Sequence, residues 1–250
     1  MYRFFVPEEN VGDLEIRITG DDVNHIQNVL RMTRGDEVVI SAGKGIDYIC
    51  SIEEFQETEI ILKRLEDKPS ITELPARIVL FQSLPKKDKM ELIIQKAVEL
   101  GAAEIVPVSS RRCVVRLDGK KAEKKLVRWQ AIAESAAKQS GRGMIPNVHE
   151  IISFKEALAY AKELDKMLIP YELSDNMSDS VRVLQEASGT GSIGVFIGPE
   201  GGFERGEVEE AIAAGAVPIS LGKRILRTET AGMTTLSILM FLIESHNGGK

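Results

Sequence analysis

From Arg77 onward the sequence alternates short apolar runs with longer amphipathic stretches, and this alternation constrains the fold more than any other feature. Apolar runs of strand length lie at 78–82, 105–108, 166–171, 193–197 and 217–221. Between them the period lengthens to that of a helix. Met90, Ile93, Ile94, Ala97 and Leu100 form one stripe, stopped by Gly101. Leu126, Trp129, Ile132, Ala133 and Ala136 form a second within 120–140, which makes Trp129 a core residue. Ser153 caps a helix to 164, a further helix covers 204–214 before Gly215, and a last one runs from about 229 to 246. Parallel strands need long crossovers, usually helical, so the pattern predicts an α/β layer structure with a mostly parallel sheet.

The first 70 residues have a different texture. Strand-like runs at 2–6, 14–18, 37–41, 46–52 and 59–65 are separated by tight turns. One helix, capped by Asp21 or Asp22, would carry Val23, Ile26, Val29 and Leu30 on a single face. A small β-barrel-like module fits this count. Pro69 and Pro75 bracket polar residues, which predicts a first domain over 1–70, a linker over 71–76 and an α/β domain over 77–250.

Charge is distributed unevenly along these parts. The chain has a net charge of -6, yet residues 77–146 carry 15 basic and 7 acidic side chains, whereas residues 1–76 carry 8 and 16. A phosphate backbone responds to local potential, so the basic middle is compatible with nucleic acid, while Lys120, Lys121, Lys124 and Lys125 read as a solvated helix face. The start of the chain turns acidic too soon for a signal peptide, and the apolar run 236–243 is well short of the roughly 20 residues that span a membrane. A cytoplasmic protein without a membrane partner is expected. Cys50 and Cys113 read as buried or idle thiols, and His25, His149 and His246 show no ligand spacing, so no metal is expected. Leu236, Ile238, Leu239, Met240, Phe241, Leu242 and Ile243 surround nearly the whole last helix. A helix apolar all round must be covered all round, which predicts a homodimer.

Two glycine-bearing loops carry the chemistry. The string GTGSIG at 189–194 matches a dinucleotide fingerprint, but it precedes a strand where the fingerprint must follow one. Ile197-Gly198-Pro199-Glu200-Gly201-Gly202-Phe203 does follow a strand and leads into a helix. So does the loop of Leu221, Gly222, Lys223, Arg224, Ile225, Leu226, Arg227 and Thr228, with Thr228 placed to cap the last helix. Ligands of α/β sheets bind at the carboxyl ends of strands, so two such loops suggest one pocket for a nucleoside-like molecule.

IGPEGGF followed by LGKRILRTETA closely resembles the signature of SPOUT-class RNA methyltransferases, specifically the bacterial 16S ribosomal RNA uracil-N(3)-methyltransferases. Arg3-Phe4-Phe5, His25, Val29-Leu30-Arg31, Gly35-Asp36, FQSLPKKDKMELIIQKAVELG and Ser140-Gly141-Arg142 also resemble that family's pattern. The resemblance implies a PUA-like RNA-binding barrel followed by a C-terminal domain with a deep trefoil knot, which binds S-adenosylmethionine and works as a homodimer. It also implies 16S ribosomal RNA or the small ribosomal subunit as the partner.

On that basis Gly198, Gly201 and Gly202 admit the ribose and methionine parts of the cofactor. Residues 221–228 clasp its adenine, with Ile225 and Leu226 as walls, while Ile197, Pro199, Glu200, Leu221, Gly222, Arg227 and Thr228 complete the cofactor loops. For the acceptor base, Arg227, or Arg112 from a partner subunit, is expected to stabilise a uracil anion, and Glu200 to orient the base or take its proton. Cys113 is expected to be structural. RNA contacts are expected from Arg3, Arg31, Arg34, Lys86, Lys87, Lys89, Arg111, Arg112, Arg116, Lys138 and Arg142. Aromatic platforms are scarce in the basic stretch, with Phe81 and Trp129 the only candidates, which favours shape and phosphate recognition of folded RNA over stacking on a long single strand. The competing functions are a non-catalytic RNA-binding assembly factor on the same scaffold and an α/β enzyme using another nucleotide.

Overall fold

The computed structural model describes residues 1–117, 119–171 and 177–247. The chain forms two compact units, Met1–Glu73 with Ala137–Ile145, and Leu74–Ala136 with Pro146–Lys250.

The first unit is built on one sheet of five strands, β1 (Tyr2–Phe5), β2 (Glu15–Thr19), β3 (Glu37–Ser41), β4 (Ile46–Phe55) and β5 (Glu59–Pro69). Their order is β1-β3-β4-β5-β2, with β1 and β3 parallel and the remaining neighbours antiparallel. Alternate residues point to one core: Ile16 and Ile18, Val38 and Ile40, Cys50 and Ile52, Ile60 and Leu62 are all buried there. The β4–β5 ladder shifts register near Cys50 and near Glu54, and such irregularities bend a strand pair. No ladder joins β1 to β2 among the described residues, so the barrel-like module is an open sheet. The helix expected over 23–30 is interrupted. α1 (Asp21–Asn24) follows an N-cap at Gly20 and runs into a π-helical turn at His25–Val29. Val23 and Ile26 stay in the core while Val29 is turned out to solvent.

Residues 137–145 belong to this unit through specific ties. Ser41 Oγ donates to the Gly143 carbonyl at 2.8 Å, and the Gly143 and Met144 N–H groups donate to Glu73 at 2.9 and 3.1 Å. A boundary drawn at one point along the chain does not include this returning segment.

The second unit contains β6 (Arg77–Ser83), α2 (Lys89–Glu99), β7 (Glu104–Ser109), α3 (Gly119–Gln139), β8 (Asn147–Val148), β9 (Ile152–Ser153), α4 (Phe154–Ala161), β10 (Lys166–Pro170), α5 (Met177–Ser188), β11 (Ser192–Ile197), α6 (Arg205–Ala213), β12 (Ala216–Ile219) and α7 (Thr228–Asn247). Strand order is β12-β10-β11-β6-β7-β8, with β9 also on β7, and every pairing is parallel. The expected α/β architecture is therefore present. α5 is a helix absent from the sequence reading; Val183, Leu184 and Ala187 form its buried face.

β6 is buried from Ile78 to Ser83, as a central parallel strand should be. Phe81 stacks on Phe196 of the neighbouring β11, with ring centroids 4.5 Å apart. Gly194 of β11 is small for this reason: a Cβ there would lie 3.0–3.1 Å from Leu164 and the Phe81 ring. On α4, Ser153 and Glu156 form a reciprocal capping box. On α7, Gly232, Thr235, Leu236, Leu239 and Ile243 form the buried stripe, whereas Phe241 is 70% exposed. Among the described residues no helix is long and apolar enough to cross a membrane.

Candidate active site

The two glycine loops meet at the carboxyl ends of the central strands. Gln82 of β6 lies in register with Ile197 of β11, where residues 198–203 begin their turn. Gln82 Nε2 donates to Thr228 Oγ1 at 2.9 Å, and that hydroxyl donates to the Gly198 carbonyl at 2.6 Å. One side chain thus links the first turn of α7, the end of β6 and the loop after β11. Thr228 was expected as a helix cap; its hydroxyl instead ties the two loops together.

The turn at 198–203 has little room. A Cβ on Gly198 would lie 3.1 Å from the Gly202 carbonyl carbon and from the Phe203 nitrogen, both backbone atoms, and Gly202 itself adopts φ +66°. Both requirements exclude an ordinary side chain. Gly201 and Gly202 are exposed, so their backbone is open to an approaching ligand. Beneath the loops, Gln82 Oε1 and Ser83 Oγ are buried without a hydrogen-bond partner among the described residues. Buried polar atoms are nearly always paired, so this end of β6 has unused capacity for polar contacts.

Glu200 is strongly engaged. Its Oε1 accepts the Lys86 N–H at 2.9 Å and lies 3.3 Å from Lys89 Nζ, which is also 3.2 Å from Glu229 Oε2 in the first turn of α7. Burial pushes the Glu200 carboxyl up, but the backbone N–H groups of Lys86 and Glu200 and the Lys89 ammonium outweigh it and hold the group below the usual carboxylate range. A carboxylate stabilised in this way is a weak proton acceptor. Lys89 itself, expected as an RNA contact, lies between two carboxylates. Arg112 Nη1 donates to the Gly201 carbonyl at 2.8 Å in its own chain, so Arg112 reaches a glycine loop without help from a partner.

Arg111 points elsewhere, with its guanidinium 3.5 Å from Glu204 and 3.4 Å from Glu210 and its N–H on the buried Glu207 at 2.8 Å. Its side chain, 58% exposed, is directed to the carboxylates of α6 and its N-cap. Arg227 is exposed and makes no side-chain hydrogen bond or ion pair among the described residues; Ile225 beside it is 86% exposed. Lys86 and Lys87 are exposed, the latter at φ +58°.

In the first unit, Arg31 is exposed at φ +52° and Lys138 is exposed. Two expected RNA contacts there are corrected. The Arg142 side chain is 5% exposed and pairs with Glu73 at 2.5 Å, and Arg3 pairs with the buried Asp47 through two hydrogen bonds of 2.5 and 2.7 Å. Both arginines hold the fold together. Phe81 and Trp129 are 0% and 3% exposed, so neither offers a stacking face.

The remaining titratable clusters lie apart from the loops. At the amino ends of β6 and β7, Glu104 accepts from Arg77 Nε at 2.5 Å and Tyr160 Oη at 2.5 Å and lies 2.7 Å from His149 Nε2. Burial opposes ionisation of Glu104, yet the His149, Arg77 and Tyr160 hydrogen bonds prevail and bring its pKa to about 2. Burial and the Glu104 carboxylate push the Tyr160 hydroxyl up to about 12. Cys50 is buried in the first unit's core, where burial raises its thiol to about 12. Cys113 lies 3.2 Å from Ser110 Oγ, within the turn that follows β7.

A model of the RNA methyltransferase domain matches residues 72–240, and one of the RNA methyltransferase PUA domain matches residues 18–63. The chain is 38% identical to ribosomal RNA small subunit methyltransferase E of Bacillus subtilis, covering 93% of this chain and 92% of that protein. Among solved structures it resembles a ribosomal RNA small subunit methyltransferase E from Neisseria gonorrhoeae bound to S-adenosyl methionine (34% identity, TM-score 0.77, 97% and 98% of the two chains). It is similar, too, to a putative methyltransferase from Legionella pneumophila in complex with the same cofactor (30% identity, TM-score 0.77, 95% and 96% covered). With paired glycine loops on a parallel α/β sheet and an N-terminal PUA-like unit, the chain belongs to the ribosomal RNA small subunit methyltransferase E family of RNA methyltransferases.

Proposed function

We propose that this chain transfers a methyl group from S-adenosylmethionine to ring nitrogen 3 of a uridine in 16S ribosomal RNA of the small ribosomal subunit, acting in the cytoplasm. The observation that carries this reading is the Gln82–Thr228–Gly198 tie, which holds the glycine turn at 198–203 against the end of the 221–228 loop at the carboxyl ends of parallel strands. The solved relatives that contain the cofactor support it. So does the fit of the residues. The compact turn at Gly198 exposes backbone at Gly201 and Gly202, and Gln82 Oε1 and Ser83 Oγ have spare polar capacity.

In this reading Ile197, Gly198, Pro199, Gly201 and Gly202 hold the ribose and methionine parts, and Leu221, Gly222, Ile225, Leu226 and Thr228 hold the adenine. When bound, S-adenosylmethionine supplies a methyl group already activated by a sulfonium. The chain must then stabilise a uracil anion whose N3 proton passes to bulk water, with S-adenosylhomocysteine as the leaving product. Among the described residues Arg227 makes no side-chain hydrogen bond or ion pair and can donate to a uracil carbonyl, with Arg112 beside the Gly201 loop as the second guanidinium. Glu200, kept ionised by Lys86 and Lys89, suits orienting the base better than removing its proton. Lys86, Lys87 and Arg112 of the second unit, and Arg31 and Lys138 of the first, remain the phosphate contacts.

We also propose that the α/β part forms the trefoil knot implied by the family resemblance and a homodimer across α7. The resemblance of the 197–203 and 221–231 segments to that family is what supports the first. The exposed Phe241 supports the second, together with a cavity of about 250 Å³ lined by Met177, Val181, Leu184, Ile238 and Leu242. Radiolabelled methyl transfer to small subunits from cells lacking the modification, followed by nucleoside analysis, tests the activity. The expected product is 3-methyluridine, and label in any other nucleoside refutes the assignment. Arg227→Ala should lower turnover at least 100-fold with cofactor binding retained; a change of only a few-fold would remove Arg227 from that role.

A further inference from the structure

Lys89 connects three segments that are far apart in the sequence. It is the first residue of α2, in the basic run after β6, and its ammonium lies 3.3 Å from Glu200 in the loop after β11 and 3.2 Å from Glu229 at the start of α7. About a quarter or less of each of these side chains is open, at 26%, 26% and 17%, so water screens the contacts incompletely. The neighbouring Lys86 N–H donates to the same Glu200 oxygen, which gives the β6–α2 segment a second hold on the loop. A lysine ammonium is a compact charge with three donors and can serve two carboxylates at once. Removing it would leave two carboxylates facing one another, and their repulsion would act to separate the loops.

From this geometry we infer that Lys89 is a positioning residue that sets the spacing of the two cofactor loops through Glu200 and Glu229. The inference rests on the cofactor reading given above. It assigns Lys89 to cofactor affinity rather than to RNA, although Lys89 lies in the basic run that also carries Lys86 and Lys87. The buried Thr228 link fixes the loops at their base, and Lys89 fixes them at the more exposed Glu200 and Glu229.

Titration calorimetry with S-adenosylhomocysteine, together with steady-state kinetics on small subunits, tests this on the full-length protein. Wild type should bind. K89M should bind roughly ten-fold more weakly, a typical coupling for groups in one network. Its KM for the methyl donor should rise accordingly, while its KM for RNA and its kcat at saturating donor stay within about three-fold. K89R should restore most of the affinity, and K89M/E229Q should recover part of the loss because one of the opposed charges is gone. Thermal unfolding without ligand shows whether K89M is folded. If it is not, E229Q carries the test, since it frees Lys89 from α7 without removing the ammonium and should weaken binding about three-fold. Unchanged affinity in K89M or in E229Q overturns the inference, and so does a rise confined to KM for RNA, which would make Lys89 a phosphate contact. If wild type itself binds no S-adenosylhomocysteine, the cofactor reading fails and the inference with it. Tight binding by both wild type and K89M removes the inference alone.

Discussion

Replacing Gly198 by alanine is the most direct test of a turn built without side-chain bulk. The new Cβ would lie 3.1 Å from the Gly202 carbonyl carbon and the Phe203 nitrogen and 3.2 Å from Gly202 Cα, a few tenths of an ångström inside ordinary contact. All three are backbone atoms, so no side chain can rotate away. Phe203, which would have to move with them, is buried against Phe154 at 5.2 Å between ring centroids. Overpacking of this kind costs about 2 kcal/mol. In a chain of this length, each kcal/mol moves the melting temperature by about 2–4 °C. Gly198→Ala should therefore melt roughly 4–8 °C below wild type in scanning calorimetry. If the loop holds the cofactor, affinity for S-adenosylhomocysteine should fall as well, by roughly ten-fold for a displacement worth 1.4 kcal/mol. Gly201→Ala is the stability control, because its Cβ would meet only Arg112 side-chain carbons at 3.6–3.7 Å. It should melt within about 1 °C of wild type. Equal melting of the two variants would refute the packing argument. A Gly198→Ala protein that melts early yet binds as tightly as wild type would separate the turn from the ligand.

Thr228→Val removes the hydroxyl shared by Gln82 and Gly198 and leaves a buried amide N–H and a carbonyl without that partner. It should cost about 2 kcal/mol in urea unfolding and weaken cofactor binding, while Thr228→Ser restores both. Glu104, with a folded pKa of about 2 against an ordinary 4.5, contributes stability that is present above about pH 4.5 and lost as pH falls toward 2. Glu104→Gln should accordingly cost at most about 3 kcal/mol at pH 7, and its deficit against wild type should shrink in melts between pH 5 and pH 2.5; a deficit independent of pH would contradict the assignment. Arg142→Met leaves Glu73 without its guanidinium partner and should destabilise the first unit by about 3 kcal/mol, with no effect on RNA affinity in the folded fraction.

How much of this was legible in the sequence depended on the range of the interaction. The strand–helix alternation is local, so the parallel sheet and most of its helices could be read from periodicity. The glycine loops were legible because their position relative to a strand is also local. Interactions across long separations left no such signal. Gln82 and Thr228 are 146 positions apart, and nothing in a lone Gln at the end of a strand indicates that it will meet the hydroxyl of a presumed helix cap. Lys89 looked like one more basic residue in a basic run because Glu229, 140 positions on, was not yet beside it. α1 was misjudged for a different reason, since a π-helical turn keeps a helical composition while rotating Val29 away from the core.

The misassigned arginines follow a rule that charge balance could have supplied. Residues 1–76 hold twice as many acidic as basic side chains, so a basic group there has carboxylates within reach when the chain compacts. Arg3 finds Asp47, Arg17 finds Glu59, Lys44 finds Glu8 and Arg64 finds Asp67. Arg142, brought into the same unit by the returning segment, finds Glu73. Arg31 and Arg34 are the exposed arginines that make no ion pair among the described residues of this unit. An RNA contact from an acidic unit must use charges that folding leaves unpaired, which points to the segment after the π-helical turn at His25–Val29 and away from the conspicuous arginines at Arg3 and Arg142. In the second unit Arg111 and Lys89 are engaged by carboxylates, whereas Lys86, Lys87, Arg112, Lys223, Arg224 and Arg227 are exposed basic groups near the glycine loops without a carboxylate partner among the described residues. A charge reversal at Arg31 should therefore weaken binding to small subunits several-fold, whereas Arg17→Glu, on a pair that is already neutral, should change it less; equal losses would show that net charge, rather than unpaired charge, governs the contact.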